Sequence, residues 1–256
     1  MIASTPLASR GPISYLYGIY CWLAFLGCIF IAILAAVLVP GLERRRRYVA
    51  ACSRTVFRLV GVRVNVRGYE NLPTEPCIVV ANHASIVDGV LLQGFLPAHF
   101  SFVIKAEMQR FPAVSFLMRR VGSRFVERFE TTASARDARD LLRAASAGES
   151  LTFFAEGTVI SEPGLNRFRA GAFVAAIKAS IPIVPLSISG SRHILAAHTL
   201  LPRHGHLRID ILNPVEPSHR AFASSRDLAE LARQRILEVL DEPDLLAEKK
   251  TRKVPR

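Results

Sequence analysis

Hydrophobic positions follow two different patterns along this chain. Residues 11–42 carry no charge. The apolar run 13–39 would make a helix of roughly 40 Å at about 1.5 Å per residue. A bilayer's hydrocarbon core is about 30 Å, so the run can span it with tilt or with its ends in the interface. Tyr15, Tyr17, Tyr20 and Trp22 crowd its first half, as aromatic side chains do near headgroups. Further on, apolar positions fall into short runs separated by polar turns. Residues 62–66 alternate strictly, as in a half-exposed strand, while 77–80 are continuously apolar, as in a strand covered on both faces. More strands are predicted at 100–104, 122–126, 151–154, 183–188 and 207–211. Helical spacing runs over 134–147, 168–179 and 228–240, and the tail from Glu248 is charged. This order predicts an α/β fold, a sheet flanked by helices, behind an N-terminal membrane helix.

At 256 residues the chain can hold one sizeable α/β domain and an appendage. Hydrophobic residues make up 50%, which suits a protein that uses lipid as part of its solvent. The net charge of +12 draws anions: lipid headgroups, nucleic acid or phosphorylated substrates. Nucleic acid is disfavoured, because aromatic residues are not interleaved with the basic ones as stacking platforms would need. Arg44, Arg45, Arg46 and Arg47 follow the apolar run directly. The positive-inside rule puts them, and all that follows, in the cytoplasm. The organisation expected is an anchor with a basic flank over 1–47 and a cytoplasmic domain over 48–256, held at an anionic cytoplasmic (inner) membrane. A secretory signal would carry its charge before a shorter apolar core. Cys21, Cys28, Cys52 and Cys77 form no metal-binding spacing and read as buried, reduced thiols.

The chemistry concentrates in Asn82-His83-Ala84-Ser85-Ile86-Val87-Asp88, just after the predicted strand 77–80. This places an imidazole and a carboxylate where a strand turns toward a helix. If the carboxylate accepts one ring N–H, the other nitrogen is a base able to take a proton from a hydroxyl attacking an acyl carbon. A second pattern runs from Lys105-Ala106-Glu107 through Pro112 and Gly122 to Phe125-Val126-Glu127-Arg128. The third is Phe154-Ala155-Glu156-Gly157-Thr158, followed by Phe168-Arg169-Ala170-Gly171-Ala172-Phe173. The fourth is Ile183-Val184-Pro185-Leu186.

These four blocks, in this order behind an apolar segment, closely resemble the glycerolipid acyltransferases of the 1-acylglycerol-3-phosphate acyltransferase family. The resemblance covers roughly residues 60 to 215. It implies a mixed sheet flanked by helices, of the glycerol-3-phosphate acyltransferase-like kind. It also implies transfer of a fatty acyl group from acyl-CoA or acyl-carrier protein to the free sn-2 hydroxyl of 1-acylglycerol 3-phosphate, giving phosphatidate. His83 would be the general base and Asp88 its orienting partner, with no nucleophilic serine, no metal and no cofactor beyond the acyl donor. Lys105 and Arg128 would bind the phosphate. Glu156, Gly157 and Thr158 would line the acceptor site, and Pro185 would serve the acyl donor or the structure. Three positions depart from the family's pattern: Ala155, Glu127 and Val159. Val159 stands where the family often has an arginine on the acceptor phosphate, and Arg167 or Arg169 are candidate substitutes. Lysophosphatidylethanolamine or a lyso-ornithine lipid is the alternative acceptor, and a basic, catalytically dead membrane-bound binding protein the alternative of another class. Residues 111–120 are apolar with a basic end, suiting a membrane-lying helix or an arginine-capped core helix equally. His193 is a further candidate neighbour of the substrate.

Overall fold

A computed structural model describes residues 11–126, 131–197 and 199–247, with the backbone alone over 131–138. Seven strands form one sheet: β1 (Arg63–Arg67), β2 (Ile78–Ala81), β3 (Ser101–Lys105), β4 (Arg124–Val126), β5 (Leu151–Phe154), β6 (Ile183–Ser189) and β7 (His206–Ile211). Their spatial order is β1-β7-β6-β2-β5-β3-β4. All neighbours are parallel except β6 and β7, so the sheet is mixed, as expected. Each predicted strand is found within two residues of its expected bounds. The start of β4 is later because Gly122 turns the chain at φ 74°.

The continuous apolar run of β2 buries both faces. Ile78 and Val80 join a core under the helices α5 (Thr131–Ser146), α6 (Gly171–Ala179) and α8 (Ser225–Leu237). Cys77, Val79 and Ala81 join the opposite core, under α1 (Pro12–Leu38), α2 (Leu42–Leu59) and α3 (Val87–Phe95). Burial pushes the Cys77 thiol up to about 12, which keeps it protonated. Helix α6 begins three residues later than its spacing suggests. Arg169 N donates to Ala155 O at 2.8 Å, which holds Phe168 and Arg169 beside the end of β5 and leaves Ala170 as the cap of the helix.

Helix α1 is long and apolar enough to cross a membrane. It also lies along the body of the protein. Tyr17 Oη donates to Val60 O at 2.9 Å and Tyr20 Oη to Leu59 O at 3.0 Å, which makes α1 and α2 an antiparallel hairpin. Trp22 Nε1 donates to Leu200 O at 2.6 Å. Nearer the other end, Arg120 Nε of α4 (Pro112–Arg120) donates to Ala36 O at 2.8 Å. Three of the four aromatic residues expected among headgroups therefore bond carbonyls of the protein itself. The outward side of α1, with Ile13, Leu16, Leu23, Phe30 and Leu38, is exposed and apolar.

Helix α2 runs through residues 47 and 48, where the boundary between anchor and domain was expected. The four consecutive arginines Arg44, Arg45, Arg46 and Arg47 do not form one basic flank. Consecutive helical residues point about 100° apart, so one of four must face inward. That residue is Arg46, which is 7% exposed. It donates to Val121 O at 2.7 Å, His99 O at 2.9 Å and Ser101 Oγ at 2.6 Å. Arg45 reaches Arg120 O at 2.6 Å, and Arg47 pairs with Glu43. Replacing Arg46 by alanine strands those acceptors, and we expect a loss of about 3 kcal/mol, read by chemical unfolding in detergent.

Candidate active site

The site forms where β2 ends and α3 begins. Asn82, 2% exposed, extends the β2–β6 ladder with its side chain: Nδ2 donates to Ile188 O at 2.9 Å, and Oδ1 accepts from Ile188 N at 2.7 Å. This fixes the direction in which the chain leaves the sheet. The turn then folds over Asp88, which lies in the first turn of α3 and is fully buried. Asp88 Oδ2 accepts from Ala84 N and Ser85 N, both at 2.8 Å, and lies 3.0 Å from His83 Nδ1. An acceptor already facing two N–H groups assigns the proton of that ring to Nδ1. The lone pair of Nε2 is then free, and Nε2 has no hydrogen-bond partner among the described residues. The ring stacks on Phe154, centroid to centroid 3.9 Å, which sets its plane. Ser85 is fully buried and donates to Leu195 O at 2.6 Å, a structural role.

His83 faces a cavity of about 980 Å³. One wall is apolar, built by Cys21, Phe25 and Ile29 of α1 and Val49, Val56 and Phe57 of α2. The polar end carries Lys105, Gly157, Thr158 and Arg169, and Arg203 also reaches the wall. Lys105 sits at the end of β3, and Gly157 turns the chain after β5 at φ 80°, a conformation that favours glycine. Val159 lines the cavity without contributing charge.

Other candidates lie elsewhere. Glu156 is 7% exposed and does not line the cavity. Its Oε1 accepts from His83 N at 2.9 Å and its Oε2 from Asn166 N at 3.0 Å. It clamps the His83 turn to the loop before α6, and both oxygens are taken by backbone donors rather than by a cation or hydroxyl of the acceptor. Burial pushes its carboxyl above the usual range, against the pull of those two N–H groups. Pro185 is buried in β6 opposite Val80, away from the cavity. Arg128 and Glu127 lie outside the described residues. His193 lines a second, smaller hollow with Arg192 and Glu242, not the cavity of His83.

Arg169 and Arg167 are separated by the fold. The main-chain bond to Ala155 delivers Arg169 to the cavity, while Arg167 is exposed outside it. The loop between Thr158 and Arg169 is held from behind. Arg192 donates to Ile160 O at 2.6 Å and to Glu242, and Glu242 accepts from Gly164 N at 2.7 Å. Arg233, buried, donates to Leu165 O and Asn166 O at 3.1 and 3.0 Å. The sequence blocks contain Asn82 and Arg169 but do not show that one extends a ladder and the other reaches the site.

The chain is similar to known proteins in sequence and in fold. The acyltransferase family profile matches residues 63–189. The chain is 28% identical over 239 residues to the 1-acyl-sn-glycerol-3-phosphate acyltransferase of Saccharomyces cerevisiae, covering 89% of this chain and 78% of that protein. It is 28% identical over 182 residues to the chloroplastic 1-acyl-sn-glycerol-3-phosphate acyltransferase LPAT1 of Arabidopsis thaliana, covering 70% of this chain and about half, 49%, of that one. The crystal structure of the 1-acyl-sn-glycerophosphate acyltransferase PlsC from Thermotoga maritima superposes with a TM-score of 0.75 at 22% identity, covering 95% and 98% of the two chains; it shares the fold. With the sheet, the His83–Asp88 pair and the matched blocks in agreement, this chain belongs to the acyltransferase family.

Proposed function

We propose that the protein moves a fatty acyl group from acyl-CoA or acyl-carrier protein to the sn-2 hydroxyl of 1-acylglycerol 3-phosphate, giving phosphatidate. The observation that carries this reading is the His83 Nδ1–Asp88 Oδ2 contact of 3.0 Å, with the other edge of the ring turned to a largely apolar cavity. The relatives whose names state that activity support the choice of acceptor.

His83 Nε2 takes the proton of the acceptor hydroxyl as its oxygen attacks the thioester carbonyl. Asp88 holds the imidazolium that results. The tetrahedral intermediate then collapses, the C–S bond breaks, and the departing thiolate takes the proton back from Nε2. The products are the new ester and a free thiol. A thioester already carries a good leaving group, so neither a covalent enzyme intermediate nor a metal is required. Lys105 and Arg169 hold the acceptor phosphate, with Arg169 supplying the charge that Val159 lacks; an arginine can grip phosphate through two parallel N–H bonds. A lysolipid with a substituted phosphate is the second reading, favoured by the uncharged Val159 on the cavity wall. A panel of lysolipids with one labelled acyl-CoA separates the two, and no transfer to any of them would leave the dead binding protein.

Helix α1 rests lengthwise in one leaflet of the cytoplasmic membrane. Its exposed apolar side supports this, and so do its bonds to the body at Tyr17, Trp22 and Ala36, which keep both halves on one side. The acceptor dissolves in that leaflet, and the donor arrives from the cytoplasm.

Replacing His83 by alanine should lower kcat by about 10²–10⁴ while the circular dichroism and unfolding curve stay unchanged. Arg169→Gln should raise KM for 1-acylglycerol 3-phosphate roughly tenfold, with a smaller effect on kcat, and adding Val159→Arg should restore much of the loss in the same steady-state assay. In Glu156→Gln, the amide turns a donor toward one of two backbone donors. We expect about 1–3 kcal/mol less stability by thermal unfolding and slower turnover.

A further inference from the structure

Helix α4 carries more apolar surface than its packing uses. Leu117 and the following Val121 close against Ala32 and Ala36 of α1. On the outer side Phe111 and Phe116 remain 46% and 41% exposed, and Pro112 and Ala113 are exposed between them. Two guanidinium groups lie on aromatic faces here, Arg110 5.0 Å over Phe111 and Arg119 5.0 Å over Phe125. Arg119 also reaches Gln109, and neither cation is in an ion pair among the described residues. The stretch 106–120 holds three arginines against one acid, Glu107. Phe111 also lines the cavity of His83, with Met108 and Val114. The cavity therefore has an exposed, aromatic and basic edge.

Two observations identify the occupant of this edge. Continuity is the first: α4 is fastened to the second half of α1, whose Phe30, Leu34 and Leu38 point outward and are exposed. Charge is the second. Arginines stacked on aromatic rings beside bare phenylalanine match the boundary between acyl chains and anionic headgroups. We infer that the edge from Met108 to Phe116 is a second bilayer contact, seated in the same anionic leaflet as α1, over which the lysolipid acceptor passes into the cavity. This rests on the membrane placement of α1 proposed above.

The test uses the full chain and two kinds of measurement. In hydrogen–deuterium exchange, vesicles of phosphatidylethanolamine and phosphatidylglycerol should slow the amides of 106–117 severalfold as well as those of α1. Ala113→Asp/Phe116→Asp places two carboxylates on one side of α4, at exposed positions that do not line the cavity. This variant should lose the slowing over 106–117. Its kcat/KM for a long-chain lysolipid presented in vesicles should fall roughly tenfold, through lost apolar contact and added repulsion. Turnover of a short-chain, monomeric acceptor should stay at the wild-type rate. Exchange that slows over α1 and α2 alone would overturn the inference. So would equal loss on both acceptors. Sedimentation showing that the variant breaks a self-associated form would give the edge to a second copy of the chain instead. The exchange measurement needs no reaction, so failure of the acyltransferase reading, seen as no transfer to any lysolipid of the panel, is separate from failure here.

Discussion

A single carboxylate oxygen organises this molecule. Asp88 Oδ2 is buried and faces His83 Nδ1 and the N–H groups of Ala84 and Ser85. A buried charge needs such donors; Oδ2 carries all three, and Oδ1 is buried without a partner among the described residues. The arrangement does two things at once. It closes the turn between β2 and α3, and it fixes which nitrogen of the imidazole keeps the proton. The positive end of the α3 dipole favours the same charge. One oxygen therefore serves both: its two backbone N–H bonds close the turn, and its contact with Nδ1 orients the imidazole.

The rest of the site is assembled around that turn by ties from distant parts of the chain. Asn82 locks the strand end to β6, Phe154 sets the plane of the ring, and Glu156 joins the His83 backbone to Asn166. The loop that brings Arg169 forward is braced by Arg192, Glu242 and Arg233, with Glu242 lying beyond the last helix of the core. These ties leave the imidazole little freedom. A side chain oriented in advance loses less entropy when a reactant meets it.

The apolar helices complete the design at the other end of the cavity. One side of the α1–α2 hairpin closes the cavity, and the outward side of α1 is bare. Arg46 makes the hairpin part of the domain rather than an appendage to it, because its guanidinium is bonded to the segments around β3 and α4. Fixed in this way, the hairpin holds the His83 ring at a constant distance from the bare outward side of α1.

The sequence by itself determined what depends on near neighbours. The alternation of 62–66 and the unbroken run of 77–80 gave strands at the edge and centre of one sheet, and the five-residue interval from His83 to Asp88 gave the imidazole and its carboxylate partner. Such features are legible because backbone geometry repeats over a few residues, so spacing alone says which side chains meet. Only the tertiary structure decided the contacts between residues far apart in the chain. It turned Glu156 away from the cavity onto the backbone of His83, 73 positions away, and buried one arginine of the four at 44–47 while its neighbours are more exposed. It chose Arg169 over Arg167, and laid an apolar helix against the body. No periodicity encodes these outcomes. They follow from which surfaces remain to be covered, and which backbone groups remain to be bonded, once the sheet has closed.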